Sequence, residues 1–132
     1  MNRAVVPAIA YMLGLSMLMG LAIVQSTSYL HNYVTHSGSP VAMYGVALVV
    51  GLALGLVTER LSLLLITPLI VVLDGALIFF VVAYSPIWTG HALGNVSIVN
   101  DLTRQVILVV FVNLIPAYFG AFVGGFITQT RQ

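Results

Sequence analysis

Residues 65–80 read LITPLIVVLDGALIFF, with a single acid, Asp74, among fifteen uncharged side chains. Such a run is typical of a helix inside a lipid bilayer, because about 20 apolar residues are needed to cross roughly 30 Å of hydrocarbon. The whole chain has this character, since 61% of its 132 residues are hydrophobic and only 5% are charged. Soluble domains carry roughly 25% charged residues. We therefore expect a multi-pass integral protein of the cell membrane, in contact with the lipid bilayer.

Four segments are apolar enough to span or nearly span a bilayer, at about 5–28, 41–58, 61–85 and 101–128. Lipid offers no water to the backbone, so each polar backbone group must be satisfied within its own segment. This requirement predicts four helices. The expected fold class is all-α, an integral membrane four-helix bundle that forms one transmembrane domain over residues 1–132.

The arginines predict the orientation of this bundle. Four spans place both termini and the turn at 58–60 on the same side of the membrane. Three arginines fall on that side and one on the other; they are Arg3, Arg60 and Arg131 against Arg104. Because cytoplasmic segments carry the excess of positive residues, we expect both the N and the C terminus to be cytoplasmic.

Two external loops follow from this orientation, at about 30–40 and 86–100. Asn100 or Asp101 is a plausible N-cap for the fourth helix, since both residue types accept hydrogen bonds from free backbone N–H groups. The first segment is long and is followed by no clear A-x-A site, so we expect it to be retained as a helix and not removed as a signal peptide.

Small residues repeat at helical spacing on each predicted helix. Helices in lipid associate through close packing of small residues and through interhelical hydrogen bonds. GxxxG occurs on both the second and the fourth helix. The residues predicted to pack helix against helix are Gly20, Gly51, Gly55, Ala117, Gly120 and Gly124.

Asp74 lies about 20 Å along its helix from Leu61, at 1.5 Å per residue, which places it near the middle of the bilayer. An acid at that depth costs roughly 2.5–3.5 kcal/mol on insertion scales. If Asp74 faces the interior of the bundle, hydrogen bonds to polar neighbours can offset this cost. The neighbours that we predict are Asn113, Ser16 and Thr67. Two interpretations remain open: an ion or proton site, or a structural clasp between helices or to a neighbouring subunit.

Three histidines are predicted to lie on the external side: His31, His36 and His91. Imidazole binds zinc and copper. However, His31 and His36 are five positions apart and share no helical face, and no carboxylate motif accompanies them. We therefore expect no metal site and no cofactor.

The sequence contains no motif of an enzyme that acts alone, such as HExxH or a glycine-rich phosphate-binding loop. A net charge of +1 and the lack of a basic cluster argue against a nucleic-acid partner. We expect a non-catalytic accessory subunit of a larger membrane complex, for example one for electron transport. Its partners would be other membrane subunits or copies of itself. The alternative is a homo-oligomeric channel or transporter, coupled to an ion or proton, that uses Asp74.

Overall fold

The computed structural model describes residues 5–26, 40–90 and 96–130, and these residues form four α-helices. They are α1 (Val5–Ser26), α2 (Pro40–Val57), α3 (Leu61–Trp88) and α4 (Val96–Thr130). The predicted all-α fold class is thereby confirmed. Within the described ranges, α1, α3 and α4 contain stretches that are long and apolar enough to cross a membrane, at Pro7–Ser26, Leu61–Trp88 and Val99–Thr130. α2 is shorter, about 27 Å at 1.5 Å per residue.

α3 continues past the position where the sequence predicts its end. Proline lacks an N–H, so Pro86 leaves the carbonyl of Val82 without its helical partner. The Ser85 hydroxyl donates to that carbonyl at 2.7 Å. The Thr89 hydroxyl in turn donates to the Ser85 carbonyl at 2.9 Å. Side chains thus satisfy the backbone around Pro86, and the helix reaches Trp88.

α4 begins at Val96, five residues before the predicted span at 101. The early turns are held against α3, because the Tyr84 hydroxyl lies 3.2 Å from the Val99 carbonyl and 3.1 Å from the Thr103 hydroxyl. Leu102 is fully buried. The predicted loop at 86–100 is therefore helical at both ends. Residues 91–95, and nearly all of the other predicted loop, lie outside the described residues.

The four helices alternate in direction, and the most extensive contacts join parallel helices, α1 with α3 and α2 with α4. On the first pair, Gly20 faces Ile78 and Gly75 faces Met19. On the second, contacts run from Met43 and Asn113 at one end to Leu56 and Thr128 at the other. Helices adjacent in sequence therefore share smaller contacts than helices two apart.

The outer surface of the bundle is apolar. Large hydrophobic side chains are exposed on every helix, such as Leu13 at 56%, Leu65 at 46% and Ile115 at 75%. The core holds tightly packed side chains, and the largest that are fully buried include Phe79, Met19 and Ile23. Soluble monomers rarely expose apolar patches of this extent, so lipid contact explains the surface.

Candidate functional site

Asp74 lies where α1 and α3 approach closely. A Cβ on Gly20 would stand 2.9 Å from Cβ of Ile78, and one on Gly75 would stand 3.0 Å from Cγ of Met19. Because these two glycines have no side chain, α1 and α3 can approach each other closely at this point. Ser16, one turn before Gly20, is thereby set against Asp74. Its hydroxyl donates to Oδ2 of Asp74 at 3.4 Å.

The surroundings of Asp74 are polar on one side only. Ser16 is buried, at 3% exposure, whereas Asp74 is half-buried. Within the described ranges Ser16 is the one hydrogen-bond partner of this carboxyl. Its neighbours along α3 include the exposed Leu73 and Leu77. The carboxyl therefore retains hydrogen-bonding capacity that no described residue uses.

Asn113 is fully buried on α4 but is directed towards α2. Its Nδ2 donates to the Val109 carbonyl at 2.8 Å and to Sδ of Met43 at 3.5 Å. Its Oδ1 has no partner within the described part of the chain. Asn113 and Asp74 therefore occupy different helix contacts, and the structure does not join them by a hydrogen bond.

The helix-packing residues predicted on α2 and α4 face each other, with backbone against backbone. A Cβ on Gly51 would collide with the Ala117 carbonyl, and one on Gly120 with the Leu48 carbonyl. The same is true of Gly55 against Ala121, and a Cβ on Gly124 would stand 2.5 Å from the Leu52 carbonyl oxygen. We call this set the glycine contact: Gly51, Gly55, Ala117, Gly120 and Gly124. It orients Asn113 towards α2, because Asn113 and Ala117 are four residues apart on the same face.

Thr67 also lies away from the carboxyl of Asp74. It lines a cavity of about 460 Å³ between α1, α2 and α3. Its hydroxyl is buried and has no hydrogen-bond partner among the described residues. The cavity has two further hydroxyl residues, Tyr11 and Thr58, which no sequence pattern assigned to a site. Tyr11 lies on α1 and Thr58 directly follows α2, and no motif in the sequence links them.

The four polar residues selected from the sequence thus occupy three separate places in the bundle. Ser16 and Asp74 meet between α1 and α3, Asn113 lies between α2 and α4, and Thr67 borders the cavity. His31, His36 and His91 lie outside the described residues. Across the residues that are described, no three histidine, aspartate or glutamate side chains cluster as a metal site would require.

No protein-family model, curated protein or solved structure matches this chain, and its function is therefore inferred from its own residues.

Proposed function

We propose that this protein is a small non-catalytic subunit that assembles with other membrane subunits inside the bilayer. The observation that carries the proposal is the half-buried carboxyl of Asp74, which among the described residues is held by one hydrogen bond of 3.4 Å. An acid in the middle of an apolar helix is costly unless polar groups surround it. A donor from a neighbouring subunit would complete the environment that Ser16 provides only in part.

Two further features support an assembly role. The apolar helix faces around Asp74 offer a surface on which another membrane helix can pack, with the carboxyl as its polar centre. The predicted extramembrane share of the chain is small, which suits a protein whose contacts lie within the membrane. We further propose that both termini face the cytoplasm, on the strength of the three arginines predicted on that side.

A homo-oligomeric channel or transporter, coupled to an ion or proton, is the second candidate. The half-buried carboxyl of Asp74 also favours a channel, because several copies of the chain could place their Asp74 side chains around a common axis. Asn113 is fully buried between α2 and α4, next to the glycine contact, so it contributes to such a path only if these helices separate. The first proposal requires no such rearrangement.

Gentle detergent extraction followed by mass spectrometry of the intact particle separates the two proposals. We expect foreign subunits at fixed stoichiometry, and co-purifying redox subunits would place the complex in electron transport. A particle that contains only copies of this chain supports the channel.

Substitutions test whether Asp74 lies at the contact with the neighbouring subunit. Asp74→Leu should reduce the yield of the complex, whereas Asp101→Asn, which neutralises an exposed acid at the start of α4, should leave it unchanged. Ser16→Ala removes the internal hydrogen bond but keeps the carboxyl, so the complex should persist. Equal loss with Ser16→Ala and Asp74→Leu would show that the carboxyl acts only within the chain.

A further inference from the structure

The cavity beside Thr67 has the size and lining of a binding site for a small lipid-soluble molecule. Its volume of about 460 Å³ falls in the range of roughly 300–1,000 Å³ that small-molecule sites occupy. It lies between the beginning of α1, the end of α2 and the first half of α3. The lining residues are Pro7, Ala8, Tyr11, Met12, Leu54, Val57, Thr58 and Thr67.

The lining contains no charged side chain, and its polar side-chain groups are the three hydroxyls. Thr67 lies about 9 Å along α3 from Leu61 at 1.5 Å per residue, inside the apolar part of the span. A charged ligand there would have no opposite charge to pair with, and an unpaired charge inside the membrane is costly. The lining therefore fits a neutral molecule.

The hydrogen bonds of the three hydroxyls indicate which group of a ligand they would hold. Tyr11 donates to the Ala53 carbonyl at 3.0 Å, and Thr58 donates to the Leu54 carbonyl at 2.7 Å. Each oxygen has used its proton but keeps lone pairs that can accept. The Thr67 hydroxyl has no acceptor among the residues that the structure describes. In this rotamer the Thr67 hydroxyl is covered and does not face the cavity, so a ligand would hold it only after rotation about χ1.

A hydroxyl group on the ligand matches this arrangement, because it accepts from one partner and donates to another. We propose that the cavity binds a neutral lipid alcohol from the bilayer, with its hydroxyl among Thr67, Thr58 and Tyr11 and its hydrocarbon against the apolar wall. The bond to Thr67 would satisfy a buried donor that has no partner among the described residues, and leaving a buried donor unpaired is unfavourable.

The test is photo-crosslinking of the full chain in phosphatidylcholine nanodiscs. One probe is a long-chain alcohol that carries a diazirine, and the second is the alkane of equal length with the same diazirine but no hydroxyl. We expect the alcohol to label peptides that contain residues 7–12 or 54–58. Its labelling there should exceed that by the alkane roughly threefold to tenfold, the equivalent of one hydrogen bond.

Three variants make the experiment specific. Thr67→Val removes the hydroxyl and keeps the shape, and should bring labelling by the alcohol close to that by the alkane. Ala8→Phe fills the cavity and should lower labelling by both probes. Thr130→Val, which removes an exposed hydroxyl bonded to Ile127 at the other end of the chain, should change neither. Thermal melts identify any variant that fails to fold, and Ala8→Leu then replaces Ala8→Phe.

Two results would overturn the proposal. Equal labelling by alcohol and alkane in the unmodified protein would mean that the cavity only contacts the hydrocarbon chains of surrounding lipid. Labelling by the alcohol that survives Thr67→Val at full strength in a folded protein would mean that Thr67 does not hold the ligand.

Discussion

Ser16 and Asp74 face each other across the contact of α1 and α3, with the serine hydroxyl 3.4 Å from Oδ2 of the carboxyl. This distance is long for a hydrogen bond between two oxygen atoms, for which 2.7–2.8 Å is typical. The pair therefore joins two helices without fully satisfying the acid.

A double-mutant cycle measures how much this pair contributes to the stability of the isolated chain. We expect a coupling free energy of about 0.6 kcal/mol or less between Ser16→Ala and Asp74→Asn, the average for hydrogen bonds between membrane helices. Unfolding in mixed micelles provides the free energies. A coupling above about 1.7 kcal/mol, the upper end of measured values, would instead favour a structural clasp as the purpose of Asp74.

The transport alternative predicts that purified protein conducts protons or cations. Under the accessory-subunit proposal, we expect liposomes that contain the protein to show the same proton and cation flux as protein-free liposomes. Asp74→Asn should change nothing. Flux through the unmodified protein that Asp74→Asn abolishes would contradict this expectation and favour the channel.

The glycine contact predicts a large difference between two glycines of the same helix. Gly51→Ile places a Cβ against the Ala117 carbonyl, whereas a Cβ at Gly45 has no neighbouring atom within 4 Å, so that Gly45→Ile extends into open space. We expect the first to destabilise the bundle by more than about 2 kcal/mol and the second to change stability by less than about 0.5 kcal/mol. Equal effects of the two substitutions on the unfolding free energy would show that α2 and α4 do not pack as described.

The Tyr84 hydroxyl should hold the early turns of α4 against α3. Tyr84→Phe removes both of its contacts, to Val99 and Thr103, and should cost about 1 kcal/mol. Hydrogen exchange should accelerate between residues 96 and 103. The matched control is Tyr44→Phe on the exposed face of α2, where 38% of the side chain is accessible. Unchanged exchange after Tyr84→Phe would refute this role.

The proposed orientation can be tested by single-cysteine labelling, because the chain contains no cysteine of its own. Glu59→Cys is in the turn between α2 and α3, and Asn100→Cys is in the first turns of α4. A membrane-impermeant maleimide should label the Asn100→Cys variant in intact cells and the Glu59→Cys variant only after permeabilisation. The reverse pattern would place the termini outside.

The helix limits show where local sequence was sufficient and where it was not. Pro86 indicates the end of a helix when it is considered alone, and Asn100 and Asp101 resemble a helix start. In the structure, Ser85 satisfies the carbonyl that Pro86 leaves free, and Tyr84 and the buried Leu102 fix the earlier turns of α4. These contacts depend on neighbours in three dimensions, so position along the chain did not reveal them.

The contacts of the candidate site were also not predictable from position along the chain. Hydropathy and helical spacing place Asp74 and Asn113 within a few residues of mid-span, but depth alone does not tell which helices meet. Asn113 is turned towards α2 by the backbone contact around Gly51 and Gly120. The cavity is lined by Tyr11 of α1, Thr67 of α3 and Thr58, which directly follows α2, and no pattern within one helix predicts that they meet.

The sequence by itself determined that this chain forms four apolar helices with small residues and one mid-span acid, because the solvation of backbone and side chains is a local property. Only the tertiary structure decided that α1 pairs with α3 and α2 with α4, that Ser16 reaches Asp74, and that a cavity opens beside Thr67. Those features depend on which small residues face each other, since backbones can approach closely only where no side chain intervenes.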